Sequence, residues 1–337
     1  MDDLAESIDA VAAETGFSGA VRVDRGDDVL LAKAYGSAHR GHRIANTVDT
    51  QFAIASGTKS LTAIAVASLI EEGSLDWETT ARSVLGSDLP LIDDAVTVEH
   101  LLAHRSGIGD YLDESQERPI TDYLVPVPQQ ELATTEQYLP VLDGIPTRFP
   151  PDERFAYCNS GFVVLALIAE RTSGVPFHDL VQQRVCEPAG MADTAFLRSD
   201  ELPGRAAIGY LSVERDRTNV FHLPVRGNGD GGIYSTVADI RSFWTALFGG
   251  RIVSRATVDR MTRPRSDVPA ESSRYGLGFW LHGTGPPVMM EGYDAGVSFR
   301  SVHDPGSQLT HTVVANWSDG AWPVTQRLDD LFDPPTP

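Results

Sequence analysis

Ser56 and Lys59 lie three residues apart in Ser56-Gly57-Thr58-Lys59, at the entry to an apolar, strongly helical stretch. Residues at that spacing share one helix face, so the lysine amine can lie beside the serine hydroxyl. A serine hydroxyl is a weak nucleophile until a neighbouring base takes its proton. A lysine among apolar residues has its charged form disfavoured by desolvation and can serve as that base. Backbone N–H groups at a helix N-terminus can hold a developing oxyanion. The same four residues also describe a helix cap followed by a surface lysine, so spacing alone decides nothing. Lys33 and Lys59 are the chain's only lysines.

A second group lies about a hundred residues on, in Phe155-Ala156-Tyr157-Cys158-Asn159-Ser160-Gly161. A tyrosine near a cation can exchange a proton with a reacting group, and an asparagine can hydrogen-bond both a lysine and a substrate N–H. The alternative is a buried tyrosine followed by an Asn helix cap.

The elements that must position these residues follow from hydrophobic period. Residues 4–15 have helical spacing, and 19–24 and 29–35 read as a hairpin across Arg25-Gly26-Asp27-Asp28. Residues 60–72 are apolar nearly all round, the mark of a helix inside a core, with Gly73 as its C-cap. Helical stretches at 98–103, 134–139, 161–173 and 177–187 alternate with proline-rich loops. Helices follow at 237–248 and 255–261, then strands at 275–281, 288–290, 297–302 and 310–316 and a helix at 323–331. Strands at both ends with helices between predict an α+β fold: an α/β sandwich lobe (1–75 and 226–337) whose antiparallel sheet is built from both termini, and an inserted, mostly helical lobe (76–225). The active site is expected in the cleft between them.

With these elements in order, the chain resembles the serine β-lactamases, penicillin-binding D-peptidases and related esterases, nearest the class C β-lactamase-like branch. Ser-x-x-Lys is followed there by Tyr-x-Asn. Three further segments are similar to that family's: Thr97-Val-Glu-His-Leu-Leu-Ala-His-Arg-Ser-Gly107, Gly231-Gly-Ile-Tyr-Ser-Thr-Val-Ala-Asp239, and Tyr275-Gly-Leu-Gly-Phe279, the last expected as a strand. The likeness covers residues 15–318. It implies the β-lactamase/transpeptidase-like fold, Ser56 as acylated nucleophile, Lys59 and Tyr157 sharing the base role, and Asn159 orienting Lys59 and substrate. The oxyanion hole would use the Ser56 N–H and one on a facing strand.

That strand departs from the pattern. The family's third motif is Lys-Thr-Gly, or His-x-Gly shortly before Pro-Gly-Phe. Ala295-Gly296-Val297 resembles the latter, which puts Met290-Glu291-Gly292 on the motif, Gly292 in the substrate site and the Tyr293 N–H as second oxyanion donor. Met290 brings no cation to hold a substrate carboxylate. Asp294, if it faces the pocket, repels one, and Arg300 compensates only if it also faces inward. The expectation is therefore an esterase on small uncharged acyl substrates. A β-lactamase or D-aminopeptidase comes second, and a degenerate binding protein of the same fold third. Substrates are small esters, amides or lactams, and no cofactor is implied.

Composition excludes other classes. A formal net charge of −20 disfavours nucleic acid and anionic membrane surfaces. No apolar run is long enough to span a bilayer, and the acidic start, Met1-Asp2-Asp3, argues against a secretory leader, so a cytoplasmic location is expected. Cys158 and Cys186 make neither a disulfide framework nor a metal cluster, and Cys158 is expected buried. His100 and His104 have a metal-compatible spacing without a third ligand, and packing near the cleft is the better reading. Gly227-Asn-Gly-Asp-Gly-Gly232 matches a dinucleotide-binding pattern but lacks the preceding strand, so it reads as a flexible loop lining the cleft.

Overall fold

Apolar residues at i and i+4 turn α1 (Asp2–Thr15) onto Ile8 and Ala12, both buried. The computed structural model describes residues 2–114, 119–122 and 125–332. The chain then forms the expected hairpin, β1 (Gly19–Arg25) and β2 (Asp28–Tyr35). Six more strands come from the C-terminal third: β3 (Ser266–Val268), β4 (Ser273–Tyr275), β5 (Trp280–His282), β6 (Val288–Asp294), β7 (Val297–Asp304) and β8 (Leu309–Ala315). All eight form one antiparallel sheet in the order β2-β1-β8-β7-β6-β5-β4-β3. The N-terminal hairpin joins through β1 on β8, from Gly19 opposite Ala315 to Arg25 opposite Leu309. Residues 76–225 add no strand to it among the described residues.

Helices cover both faces. On one, α1 and α6 (Trp322–Phe332) bury Ile8, Val324 and Leu328 against Val21, Val23 and Val313. On the other lies α2 (Thr58–Glu71), whose Leu61, Ile64, Val66 and Leu69 share a core with Leu101 of α3 (Val98–Leu102), with Phe162 and Leu165 of α4 (Asn159–Ser173) and with Met290 and Phe299 of the sheet. Burying those four α2 side chains contributes about 6–12 kcal/mol before entropy is counted. That gain offsets the several kcal/mol that burying a charged lysine costs on the same helix. Helix α5 (Val237–Phe248) starts where the Thr236 hydroxyl accepts the Asp239 N–H at 3.1 Å.

One expected strand is a turn. Tyr275-Gly276-Leu277-Gly278-Phe279 ends β4, and a Gly276 N–H bond to the Phe279 carbonyl reverses the chain into β5. The cause is α2. Gly278 has φ +82°, a Cβ there would stand 2.2 Å from the Ala63 Cβ, and its carbonyl accepts the Ser60 hydroxyl at 2.7 Å. The turn thus anchors α2, the helix that carries Lys59, to the sheet. Gly278→Ala is expected to lower the unfolding free energy by about 2–4 kcal/mol in a denaturant titration, the sum of left-handed strain and overpacking. A loss below about 1 kcal/mol would show that the contact is not needed.

Candidate active site

The backbone is strained just before the nucleophile candidate. Ala55 has φ +45°, an uncommon conformation for a residue with a side chain. Such strain persists only where surrounding bonds impose it. Here the Ala55 carbonyl accepts the Thr58 hydroxyl at 2.7 Å and the Gly232 N–H at 3.3 Å. Residues Ala55–Gly57 form one tight turn that runs directly into α2.

Lys59 is 2% exposed. Its Nζ donates to Ser56 Oγ at 2.7 Å, Asn159 Oδ1 at 2.7 Å and the Asp230 carbonyl at 2.6 Å. Three acceptors match the three N–H donors of an ammonium. Desolvation pushes its pKa below the ordinary lysine value, against the opposing pull of Asp230, Glu114, Asp110 and Asp294. Tyr157 lies near enough to Ser56 for the serine to pull its pKa down in part, and the Lys59 Nζ stands 5.0 Å from the Tyr157 ring centroid. Burial, reinforced by Glu114, pushes the Tyr157 pKa well above its usual value. The two candidate bases are thus moved in opposite directions: the lysine gives up its proton more easily than usual, the tyrosine less.

Asn159 is the first residue of α4, and its own side chain does not cap that helix. Asp110, from the segment after Ser106-Gly107, caps it instead by accepting the N–H groups of Asn159 and Ser160, each at 2.9 Å. That frees the Asn159 amide: its oxygen takes Lys59, and its nitrogen donates to the Leu112 carbonyl at 3.0 Å and Glu114 Oε1 at 2.8 Å. Both amide protons are therefore used inside the protein. Burial raises the Asp110 pKa to about 6.

Gly292 faces the turn that carries Ser56. A Cβ there would lie 2.2 Å from the Ile54 carbonyl oxygen and 2.9 Å from the backbone nitrogens of Ser56 and Gly57. Only glycine lets β6 approach this closely. Along β6, Met290 and Gly292 face α2, while the Tyr293 ring turns outward to 6.1 Å from Trp322 of α6. Tyr293 can thus reach the Ser56 side only through its backbone. Arg300 does not replace the missing cation. It pairs with Asp329 at 2.8 Å and Glu291 at 3.6 Å on the α6 side of the sheet.

Ser56 and Asn159 open onto a cleft whose lining includes Tyr111, Glu114, Leu197, Leu223, Asp230, Tyr293 and Asp294. No lysine or arginine lines it among the described residues. Burial raises the Asp294 pKa to about 7, with Glu114 and Asp230 adding to the effect.

The Gly227–Gly232 segment lines this cleft as expected but is not a loose loop. Asn228 is 1% exposed, the Asp230 carbonyl holds Lys59, and the Asp230 carboxylate accepts the Tyr111 hydroxyl at 2.5 Å. Sequence reasoning gave no role to Asp110, Tyr111, Glu114 or Asp230. Ser106-Gly-Ile-Gly-Asp110, glycine-spaced beyond a family-like stretch, was the available signal for Asp110. Nothing in sequence marks a backbone carbonyl such as that of Asp230. His100 is used locally, its Nδ1 accepting the Thr97 N–H at 3.2 Å, and His104 is buried. Cys158 is buried too, with its thiol pushed well up by desolvation.

The model of the beta-lactamase family matches residues 4–332. The chain belongs to that family. A crystal structure of a penicillin-binding protein from Bacillus halodurans superposes with a TM-score of 0.89 at 34% identity, covering 96% of this chain and 100% of that one. The putative penicillin-binding protein PbpX of Bacillus subtilis (strain 168) is 28% identical over 83% of this chain and 66% of its own length. Esterase EstB of Burkholderia gladioli is 27% identical over 82% of this chain and 78% of its own length. The chain thus spans just under two thirds of the Bacillus subtilis relative. Among the described residues no helix is long and apolar enough to cross a membrane, and no group of three or more His, Cys, Asp or Glu could hold a metal ion.

Gly292→Ala tests the close approach of β6. It is expected to cut any hydrolytic turnover shown by the parent chain about 100-fold or more, because a 1 Å displacement at a reacting centre suffices for that loss. A folded Gly292→Ala protein within about threefold of the parent rate would contradict it.

Proposed function

We propose that this chain is a serine hydrolase that acylates Ser56 and releases the acyl group to water, acting on uncharged esters or amides. The contact that carries the reading is Lys59 Nζ to Ser56 Oγ, 2.7 Å apart in a desolvated setting. As Ser56 Oγ attacks the substrate carbonyl carbon, its proton passes to neutral Lys59. The carbonyl oxygen becomes an oxyanion between the N–H groups of Ser56 and Tyr293. The intermediate collapses, the C–O or C–N bond to the leaving group breaks, and the proton returns to that group through the neutral Tyr157 hydroxyl. Water then attacks the acyl-enzyme along the same route in reverse, yielding the acid and free Ser56. The raised Tyr157 pKa favours its acting as a hydroxyl relay, with Lys59 as the resting base.

Asp294 carries the substrate assignment. It lines the cleft, as do Glu114 and Asp230, and among the described residues no lysine or arginine there meets a substrate carboxylate. This disfavours anionic β-lactams and D-peptide termini relative to neutral acyl donors. The same carboxylates support a second reading, hydrolysis of acyl donors bearing an ammonium group such as D-amino-acid amides. Turnover of p-nitrophenyl butyrate, compared with D-phenylalanine amide and nitrocefin, separates the three substrate classes.

Two outcomes test this reading. Ser56→Ala is expected to abolish hydrolysis of p-nitrophenyl butyrate, and intact-mass analysis should find the fluorophosphonate adduct on Ser56 in the parent chain alone. Undiminished turnover by Ser56→Ala would overturn the mechanism, and a binding-only protein would take no adduct. The second outcome concerns pH. The Asp294 pKa is raised to about 7, so its carboxyl is neutral below that pH and charged above it. The ratio of kcat/KM for a carboxylate-bearing ester to that for its neutral analogue should therefore rise about three- to tenfold from pH 8 to pH 5.5. Asp110, raised to about 6, titrates in the same range, and Asp294→Asn separates the two by removing most of the rise. A ratio independent of pH would contradict the role of Asp294.

A further inference from the structure

His104 is 1% exposed and has no place in the steps above. Its backbone lies at φ +54°, in the left-handed region. Nδ1 accepts the Cys158 N–H at 3.1 Å, so the ring proton sits on Nε2. Nε2 is buried without a hydrogen-bond partner. The ring is packed instead between aromatic faces, with centroids 4.3 Å from Tyr157, 4.8 Å from Tyr275 and 5.0 Å from Phe162. An apolar residue would avoid the unsatisfied N–H, and a glycine would avoid the strain. Two destabilising features at one buried residue call for a compensating role.

The bonds around Tyr157 supply it. The His104 carbonyl accepts the Ala156 N–H at 2.9 Å, and the His104 ring accepts the Cys158 N–H. One residue thus grips the peptide on both sides of Tyr157, while its ring face covers the tyrosine ring. No side chain without an acceptor at the Nδ1 position can do this. We propose that His104 is a positioning residue for Tyr157, holding the tyrosine hydroxyl against Ser56 through the ring acceptor for the Cys158 N–H. This rests on the reading of Ser56 as nucleophile and Tyr157 as proton relay. Desolvation, with Lys59 nearby, drives the His104 pKa well below its usual value, which keeps Nδ1 an acceptor.

Three substitutions test it. H104N keeps an acceptor oxygen near the Nδ1 position and tolerates positive φ. H104L and H104S keep no acceptor within reach, and H104S serves if H104L does not fold. Steady-state hydrolysis of p-nitrophenyl butyrate and the rate of fluorophosphonate labelling at Ser56 are the readouts. H104L and H104S are expected to lower kcat about 10- to 100-fold with KM within about threefold, and H104N to recover most of that loss. In a Y157F background the same substitutions should slow labelling less than about threefold, since the residue through which His104 acts is already disabled. The proposal is overturned if folded H104L or H104S turns over at the parent rate or changes KM alone. It is equally overturned if H104N is as slow as H104L, or if the full loss persists in Y157F. Failure of the parent chain to label at Ser56 would instead refute the nucleophile itself.

Discussion

Everything in the site depends on one amine held out of water. Lys59 sits on a helix buried from Thr58 to Leu69, and its three acceptors come from Ser56, Asn159 and Asp230, in three separate parts of the chain. A buried lysine with fewer partners would be strongly destabilising, and one with stronger anionic partners would hold its proton too firmly to act as a base. Two neutral oxygens and a hydroxyl bind the nitrogen directly, while the carboxylates of Asp110, Glu114, Asp230 and Asp294 act on it without direct contact. The amine is thus stable enough to be buried and still easier to deprotonate than a surface lysine.

The fold exists around that arrangement. Helix α2 gains enough from Leu61, Ile64, Val66 and Leu69 to carry Lys59 inside. The Gly278 turn anchors α2 to the sheet, and Gly292 lets β6 meet the strained turn before Ser56. Asp110 caps α4 so that Asn159 can turn its amide on Lys59. Each of these is a local departure from helix or strand regularity, and each lies at the site.

Much of this was legible in the sequence because it is local. Hydrophobic period marked α1, the first hairpin, α2 and α5, and the Ser56, Lys59, Tyr157 and Asn159 candidates were found by spacing and order. The structure brings these four together. What was not legible depends on tertiary contact. Tyr275–Phe279 has strand composition, yet contact with Ala63 forces a turn. Sequence left Asn159 the alternative of capping its own helix, and only the structure shows that a carboxylate 49 residues earlier does the capping. The facing of Asp294 and Arg300 was open until the sheet fixed it: Asp294 lines the cleft, and Arg300 is paired with Asp329 on the far face. The Asp230 carbonyl carries no sequence signal at all.

The central claim is that Lys59 is the resting base for Ser56. It is tested most directly by the rate of fluorophosphonate addition to Ser56 as a function of pH, followed by intact mass. The account predicts a rate that rises with pH through an apparent pKa below the ordinary lysine value of 10.5, because the neutral amine is the reactive form. It also predicts that Lys59→Met removes the rise together with nearly all labelling, while Tyr157→Phe slows labelling but leaves the pH profile in place. A rate unchanged by Lys59→Met, or a pH profile that vanishes with Tyr157→Phe instead, would contradict it.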